Sequence, residues 1–256
     1  MTGLGRQILR SQIDFIAYQA LFRHLKRHQI LLACMPKSGS TFLSNAIGRV
    51  PGFRKTSLVR HFGRTEQEID PNLTLRKQRH NFVAQHHVKY NDNTADVMRT
   101  FSLTPVVLVR NIFDCVASIR DHLRHESVYS PTAFFTEDHK YLPDPELETL
   151  IVALAVPWYI HFFASWTECP EALWVTYEEM VGDKASTVER ILRHSGSNLD
   201  RKTIAKSIQG GDPAADRLNV GGSGRGKSLM AENVETIDRY ANFYPDIDFS
   251  RIGITR

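Results

Sequence analysis

The chain has 256 residues, 42% of them hydrophobic, which is enough apolar material to bury one substantial core. Its formal net charge of +4 suits a protein that holds an anionic ligand, but this excess is too small to indicate nucleic-acid binding. The three cysteines, Cys34, Cys115 and Cys169, lie far apart in apolar surroundings, so neither a disulfide nor a metal site is expected. We therefore expect a single domain over residues 1–256.

The N-terminal segment, 1–29, contains a helical pattern from residue 7 to 28, with an apolar stripe flanked by arginine and lysine. No signal peptide and no apolar run of bilayer-spanning length is apparent, so a cytoplasmic protein is expected. A basic amphipathic helix can lie on an anionic membrane surface, although most such helices pack on their own domain. Membrane contact therefore stays open at this point.

A buried strand over 30–34 is predicted by the uninterrupted apolar run ILLAC, of the kind found in parallel strands covered on both faces. Pro36 and Gly39 end the strand, and a helix can begin at Ser40 or Thr41. The unpaired N–H groups and positive dipole end of such a helix attract an anion. Four side chains around the loop can add charge or hydrogen bonds to that anion: Lys37, Ser38, Ser40 and Thr41.

The order of residues in this loop distinguishes it from the usual nucleotide-triphosphate loop, in which lysine follows the second glycine, because Lys37 precedes Gly39. The segment PKSGSTF over 36–42 is instead similar to the loop of sulfotransferases that use 3′-phosphoadenosine 5′-phosphosulfate (PAPS). The resemblance implies that the loop grips the phosphosulfate end of this donor and that Lys37 contacts the bridging oxygen that leaves. Phe42 stands where many members carry a tryptophan stacked on adenine.

A second parallel strand is predicted over 81–88, and it ends in His86 and His87. A histidine at the carboxyl end of a central strand faces the crevice in which open α/β sheets bind ligands. Its ordinary pKa near 6.5 suits a general base at neutral pH, although a structural histidine fits the pattern too. In the sulfotransferases a histidine just past this strand deprotonates the acceptor; the motif register favours His87 for that role, with His86 as the alternative.

A third buried strand is predicted over 105–110, and Asn111 can cap the helix that follows it. Arg110 and Ser118 are eight positions apart, so the strand end and the second helical turn can reach one anion, which the guanidinium would bind through two hydrogen bonds. The block VLVRNIFDCVASIRDHL closely resembles the motif with which sulfotransferases bind the donor's 3′-phosphate. An arginine at a strand end is otherwise often a surface ion-pair partner.

Two irregular segments have no recognisable motif. Residues 51–80 predict a loop with a short helix near the acceptor side, and the aromatic, proline-containing residues 125–145 predict a long ordered loop that shapes the acceptor pocket or simply packs on the domain. Residues 146–166 predict a central buried helix that Pro157 kinks.

A fourth strand is predicted over 172–177, and its end resembles the family's V-x-Y-E-[DE] segment. In that segment the tyrosine lies near adenine, but Tyr177 equally suits a core position. Helices are predicted over 185–195, 199–207 and 231–243.

The glycine-rich stretch RLNVGGSGRGKS over 217–228 is similar to the family's C-terminal donor loop. That similarity implies four residues that cover the 3′-phosphate: Gly224, Arg225, Gly226 and Lys227. Gly226 replaces a tryptophan that many members have.

The fold that these segments predict is a three-layer, P-loop-like α/β domain with a central parallel sheet of four or five strands flanked by helices. Residues 30–256 form its donor-binding core. The resemblance implies a sulfotransferase that moves a sulfuryl group from PAPS to a hydroxyl or amine acceptor by in-line displacement, with adenosine 3′,5′-bisphosphate (PAP) as product and no metal. The alternatives are a nucleotide-dependent small-molecule kinase and a catalytically inactive PAP-binding protein. The acceptor class and the oligomeric state stay open.

Overall fold

The structure is a computed structural model that describes residues 27–61, 66–212, 216 and 224–255. Within these residues the chain forms one five-stranded, all-parallel sheet in the order β2-β3-β1-β4-β5. The strands are β1 (Gln29–Cys34), β2 (Phe53–Thr56), β3 (Asn81–His86), β4 (Thr104–Val109) and β5 (Leu173–Thr176). Because β1 lies at the centre with β3 and β4 on either side, the loops that follow these three strands meet at one edge of the sheet.

Ten α-helices in the described part of the chain cover the sheet. They are α1 (Ser40–Gly48), α2 (Pro71–Lys77), α3 (Asp92–Phe101), α4 (Ile112–His125), α5 (Asp144–Leu154), α6 (Val156–Trp166), α7 (Tyr177–Gly182), α8 (Lys184–His194), α9 (Arg201–Gln209) and α10 (Ala231–Asn242). Short 3-10 helices occupy Glu137–Tyr141, Arg225–Ser228 and Ser250–Ile252.

Alternate side chains of β1 enter two separate apolar cores. Leu31 and Ala33 belong to the core built with α4, α5 and α6, whereas Ile30 and Leu32 belong to the core built with α1, α8 and α9. A strand buried on both faces needs apolar residues at every position, which explains the unbroken run in the sequence. This arrangement confirms the predicted α/β architecture with a central parallel sheet flanked by helices.

Local signals placed most elements within a few residues of their observed ends. Asn111 caps α4 as predicted, since its Oδ1 accepts hydrogen bonds from the N–H groups of Phe113 and Asp114 at 3.0 and 3.2 Å. The prediction for 51–80 was incomplete: the short helix is α2, but the edge strand β2 was missed. Of the β2 residues only Phe53 is buried, so the segment lacks the apolar pattern of a strand.

The predicted helix over 146–166 is divided into α5 and α6 at Ala155, and Pro157 lies in the first turn of α6, where its missing N–H costs no hydrogen bond. Together, Asp144–Trp166 form a 23-residue helical stretch whose most apolar window has mean hydropathy 1.6, so the expectation that no segment reaches bilayer-spanning length was wrong. Inside the fold 67% of that window is buried, as in the core helix of a globular protein.

Most of the predicted N-terminal helix lies outside the described residues, and the described residues 27 and 28 are not helical. His28 joins the sheet to the helical layer, because its Nδ1 lies 2.8 Å from the carbonyl oxygen of Ser195. All three cysteines are buried and free, which confirms that they form no disulfide.

Candidate active site

A cavity of about 290 Å³ lies where β1, β3 and β4 end. Eight of the predicted site residues line it: Lys37, Gly39, Ser40, Thr41, His87, Arg110, Ser118 and Tyr177. They come from four parts of the chain, and the parallel sheet brings them together because each follows the carboxyl end of a strand.

The loop between β1 and α1 is bent by two left-handed residues, Lys37 with φ of 65° and Gly39 with φ of 79°. Protein donors occupy three successive carbonyl oxygens: Ser38 Oγ donates to Met35 at 2.6 Å, Tyr159 Oη to Pro36 at 3.1 Å, and Arg110 Nη1 to Lys37 at 2.9 Å. In a trans peptide the N–H points opposite to the carbonyl, so the Lys37 and Ser38 N–H groups face away from these donors. The loop therefore presents donors rather than carbonyl oxygens to an anion.

The hydroxyl of Ser38 is used inside the protein, because its single hydrogen goes to the Met35 carbonyl. It was expected to donate to a phosphate. In the observed loop its hydrogen is instead bonded within the protein.

The N-terminus of α1 has no side-chain cap; its N-cap residue is Gly39. A Cβ at this position would lie 2.6 Å from Met180 Cε and 3.0 Å from the Tyr177 ring, so glycine is required by both space and conformation. The first-turn N–H groups of an uncapped helix carry the positive end of the dipole. Ser40 stands in this turn and accepts a hydrogen bond from Gln85 Nε2 at 2.9 Å, which turns its own hydrogen elsewhere.

Gln85 lines the cavity as well and was missed by sequence reasoning. Its amide bridges two residues of α1, donating to Ser40 and accepting from Ser44 Oγ at 2.9 Å. The signal available in the sequence was a polar residue directly after the apolar run 82–84 of β3. Its position ties β3 to the start of α1.

Arg110 and Ser118 both line the cavity, as their eight-residue spacing predicted. Arg110 is only 5% exposed, and its guanidinium carbon lies 4.2 Å from the centroid of the Tyr177 ring. This stacking and the bond to the Lys37 carbonyl fix the guanidinium at the mouth of the loop. Tyr177 is 3% exposed and packs against Arg110 and the Gly39 turn, so its position combines a core role with a place in the cavity wall.

The two neighbouring histidines differ in their surroundings. His87 Nδ1 lies 2.8 Å from the Cys34 carbonyl oxygen, which can only accept, so the Nδ1–H tautomer is present and Nε2 is the basic nitrogen. No described residue hydrogen-bonds to that Nε2. Burial lowers the pKa of His87, and the bond to the Cys34 carbonyl partly opposes this shift.

His86 is 1% exposed, and its Nε2 accepts the N–H of Leu58 at 2.8 Å. Burial, with the adjacent charge of His87, lowers the pKa of His86 to about 3. His86 does not line the cavity at the ends of β1, β3 and β4, whereas His87 does. The geometry therefore favours His87 as the base and gives His86 a structural contact.

Two further titratable residues lie on the α4 side of the cavity. Glu126 Oε1 is 3.7 Å from Lys37 Nζ, and Glu126 Oε2 is 3.1 Å from His122 Nδ1. Burial and the charge of Lys37 lower the pKa of His122. Sequence reasoning missed both, although Ser118, His122 and Glu126 recur every four residues and so share one helix face.

Phe42 does not line the cavity. Its ring is 3% exposed in the core beside α8 and α9, with Lys184 Nζ 5.3 Å from the ring centroid. The structure therefore places Phe42 in the core, and its contact with adenine stays a prediction.

The C-terminal segment, predicted to cover the 3′-phosphate, contacts the carboxylates of α4 in the described part of the chain. Gly224 and Gly226 donate their N–H groups to the Asp114 carboxylate at 2.8 and 2.7 Å, and Arg225 forms an ion pair with Asp121. Lys227 is exposed, and none of the four predicted residues of this segment lines the cavity. The carboxylates of α4 therefore hold the segment; residues 217–223 of the predicted loop lie outside the described part of the chain.

The two irregular segments both reach the cavity: Gln67 contributes from the first, and Tyr129, Ser130 and Pro131 contribute from the second. Tyr129 is nevertheless 58% exposed, so one side of its ring faces solvent. In the described residues no three His, Cys, Asp or Glu side chains are grouped as a metal site, and the absence of a metal stays a prediction.

No protein-family model and no curated protein sequence matches the chain. Among solved structures, mouse sulfotransferase SULT7A1 complexed with PAP aligns over 88% of this chain and 87% of its own, with 17% identity and TM-score 0.65. Retinol dehydratase in a complex with retinol and PAP aligns over 92% and 87%, with 13% identity and TM-score 0.58. A sulfotransferase from Alicyclobacillus acidocaldarius aligns over 88% and 94%, with 12% identity and TM-score 0.50. At these identities the likeness is one of fold, and the chain has the α/β fold of the sulfotransferases.

Proposed function

We propose that this chain, which shares the fold of the sulfotransferases, transfers a sulfuryl group from PAPS to a hydroxyl or amine acceptor. One observation carries the proposal: a single cavity is lined by an uncapped helix N-terminus with Lys37, by Arg110 with Ser118, and by His87. These groups supply two anion-binding places and one base.

The residues of the cavity fit a ligand with two separate anionic groups. The loop 36–41 supplies backbone N–H groups and the Lys37 ammonium for one of them, and Arg110 with Ser118 supplies a guanidinium and a hydroxyl for the other. When bound, the donor supplies the sulfuryl group, which moves to the acceptor as its S–O bond to the bisphosphate breaks.

His87 is suited to remove the acceptor's proton, because its Nδ1–H is held by the Cys34 carbonyl and its Nε2 is free of hydrogen bonds to described residues. Burial keeps the ring neutral at pH 7, which is the form that accepts a proton. Lys37 and the α1 N-terminus stabilise negative charge on the leaving oxygen. A well-placed donor of this kind contributes about 3–4 kcal/mol.

The first test is calorimetric titration with PAP and with ATP, each without metal and with Mg²⁺. We expect metal-independent binding of PAP that Arg110→Ala weakens strongly. Arg110 also donates to the Lys37 carbonyl, so its loss can disturb the loop as well as the anion-binding place. Ser118→Ala is the milder variant, because it removes one hydroxyl and leaves the loop in place. Arg190→Ala, which removes an exposed arginine paired with Glu179, is the matched control and should bind PAP like the wild type.

Preference for ATP with Mg²⁺ would replace this proposal by the kinase alternative, and absence of binding to either nucleotide would refute both. If PAP binds but PAPS is not consumed with any acceptor, the chain is a PAP-binding protein without this activity. The proposal also includes a cytoplasmic location, the absence of a metal, and an acceptor that is not a nucleic acid.

A further inference from the structure

The Lys37 side chain already has an anionic neighbour in the structure. Its Nζ lies 3.7 Å from Glu126 Oε1, and the two side chains are 24% and 31% exposed. An ion pair that is partly shielded from water is screened less than one on the open surface. The carboxylate therefore competes with any anion that enters the loop for the charge of Lys37.

Glu126 occupies a position that does not favour a carboxylate. It is the C-cap residue of α4, and its N–H donates to the His122 carbonyl at 2.9 Å. Negative charge at a helix C-terminus opposes the negative end of the dipole, which favours the basic residues that fill the rest of this turn. The nearby Lys37 ammonium offsets that cost, so the pair accounts for a carboxylate at this position.

The backbone of the loop is held in place, because the carbonyls of Met35, Pro36 and Lys37 each accept a hydrogen bond from a protein side chain. Only the flexible four-carbon side chain of Lys37 is able to move. A change of partner at Lys37 is therefore a rotamer change and needs no movement of the loop.

We propose that Glu126 is a positioning residue that holds the Lys37 ammonium on the α4 side of the cavity, so that Lys37 must leave Glu126 before it contacts an anion in the loop. This inference rests on the proposed function, which makes that anion the phosphosulfate end of PAPS or the 5′-phosphate of PAP. His122, whose Nδ1 is 3.1 Å from the other carboxylate oxygen, stays beside Glu126 when Lys37 leaves.

The test is a double-mutant cycle read by calorimetric titration with PAP on the full chain. Glu126→Gln removes the competing charge and keeps the side-chain shape, so PAP should bind about two- to fivefold more tightly, the range expected for a partly exposed ion pair. In a Lys37→Met background the same substitution should change the affinity by less than about 1.5-fold, since the partner is gone. Glu189→Gln, which removes a carboxylate paired with Arg193 on α8, is the control for loss of one negative charge.

Equal tightening by Glu126→Gln in both backgrounds would show general repulsion of the ligand by the carboxylate and would overturn the positioning role. Weaker or unchanged binding in the wild-type background would overturn it as well. If the wild-type chain binds no PAP, the proposed function fails first and this inference fails with it. Thermal unfolding of each variant identifies any loss of affinity that comes from misfolding.

Discussion

His86 should make the stability of the fold depend on pH, and the effect can be worked out from its surroundings. The ring is 1% exposed, it accepts the Leu58 N–H through Nε2, and burial lowers its pKa from 6.5 to about 3. Because the pKa is lower in the folded state, the unfolded state binds more protons below pH 6.5. Stability is therefore complete above pH 6.5 and is lost as the pH falls toward 3.

The magnitude follows from the interval between the ordinary pKa and the working pH. At pH 5, protonation of His86 in the unfolded chain lowers the free energy of unfolding. The decrease is about 1.5 pH units multiplied by 1.36 kcal/mol, which is about 2 kcal/mol. His86→Gln keeps a neutral acceptor for the Leu58 N–H and does not titrate. Between pH 7 and pH 5 the wild type should therefore lose about 2 kcal/mol more free energy of unfolding than this variant.

Urea unfolding of both proteins at the two pH values measures this difference. Other groups that titrate, including His87, are present in both proteins, so their contributions cancel in the comparison. An equal loss in the wild type and in His86→Gln would mean that His86 is protonated in the folded state with an ordinary pKa. The buried, neutral ring described above would then be wrong.

Three further substitutions test the site and its support. Lys37→Ala should lower kcat by about 10²- to 10³-fold but PAP affinity by less than about tenfold, and equal losses would argue against a leaving-group role. His87→Asn keeps an N–H for the Cys34 carbonyl but offers no base, so kcat should fall by about 10²- to 10⁴-fold with PAP binding unchanged. A loss of kcat of less than about tenfold would exclude His87 as the base. Gly226→Ala places a Cβ 2.4 Å from the Phe113 backbone, so urea unfolding should show destabilisation by about 1–3 kcal/mol. An unchanged unfolding midpoint would mean that the segment does not pack against Phe113.

The elements that the sequence predicted well are those whose signals are local. The strand β1 is buried on both faces, so its apolar run needs no knowledge of its neighbours. The cap of α4 is formed by Asn111 and residues two and three positions later, all within one turn. By contrast, β2 exposes Arg54 and Lys55, and its strand conformation depends on pairing with β3. No local pattern carries that information.

The candidate site divides in the same way. Lys37, Arg110 and His87 follow strand ends, and the rule that parallel strands present their carboxyl ends at one edge brings them together. Glu126 and Gln85 are polar residues of ordinary type, and their importance comes from side chains far along the chain. The sequence does show the four-residue repeat that includes Glu126, but it does not show that the Glu126 carboxylate lies beside Lys37.

The C-terminal segment shows a contact that its sequence did not predict. Glycine and basic residues suit the approach of a backbone to an anion, and that is the contact that Gly224 and Gly226 make. The anion is the carboxylate of Asp114, more than 100 positions earlier in the chain. Since Arg225 is likewise paired with Asp121, the same chemistry that favours a phosphate is satisfied within the protein.

The anion binding proposed for the loop after β1 depends as much on its carbonyls as on its donors. Tyr159 on α6 and Arg110 after β4 each take one carbonyl oxygen of the loop, and Ser38 takes a third. All three bonds satisfy an oxygen that would repel an anion, and those to the Pro36 and Lys37 carbonyls leave the N–H groups of Lys37 and Ser38 pointing away from the donors. Because two of these donors come from residues that lie 73 or more positions from their acceptors, the PKSGSTF sequence adopts this arrangement for the proposed anion only in the folded domain. The core packing of Tyr159 is therefore part of the site, although its hydroxyl belongs to no recognised motif.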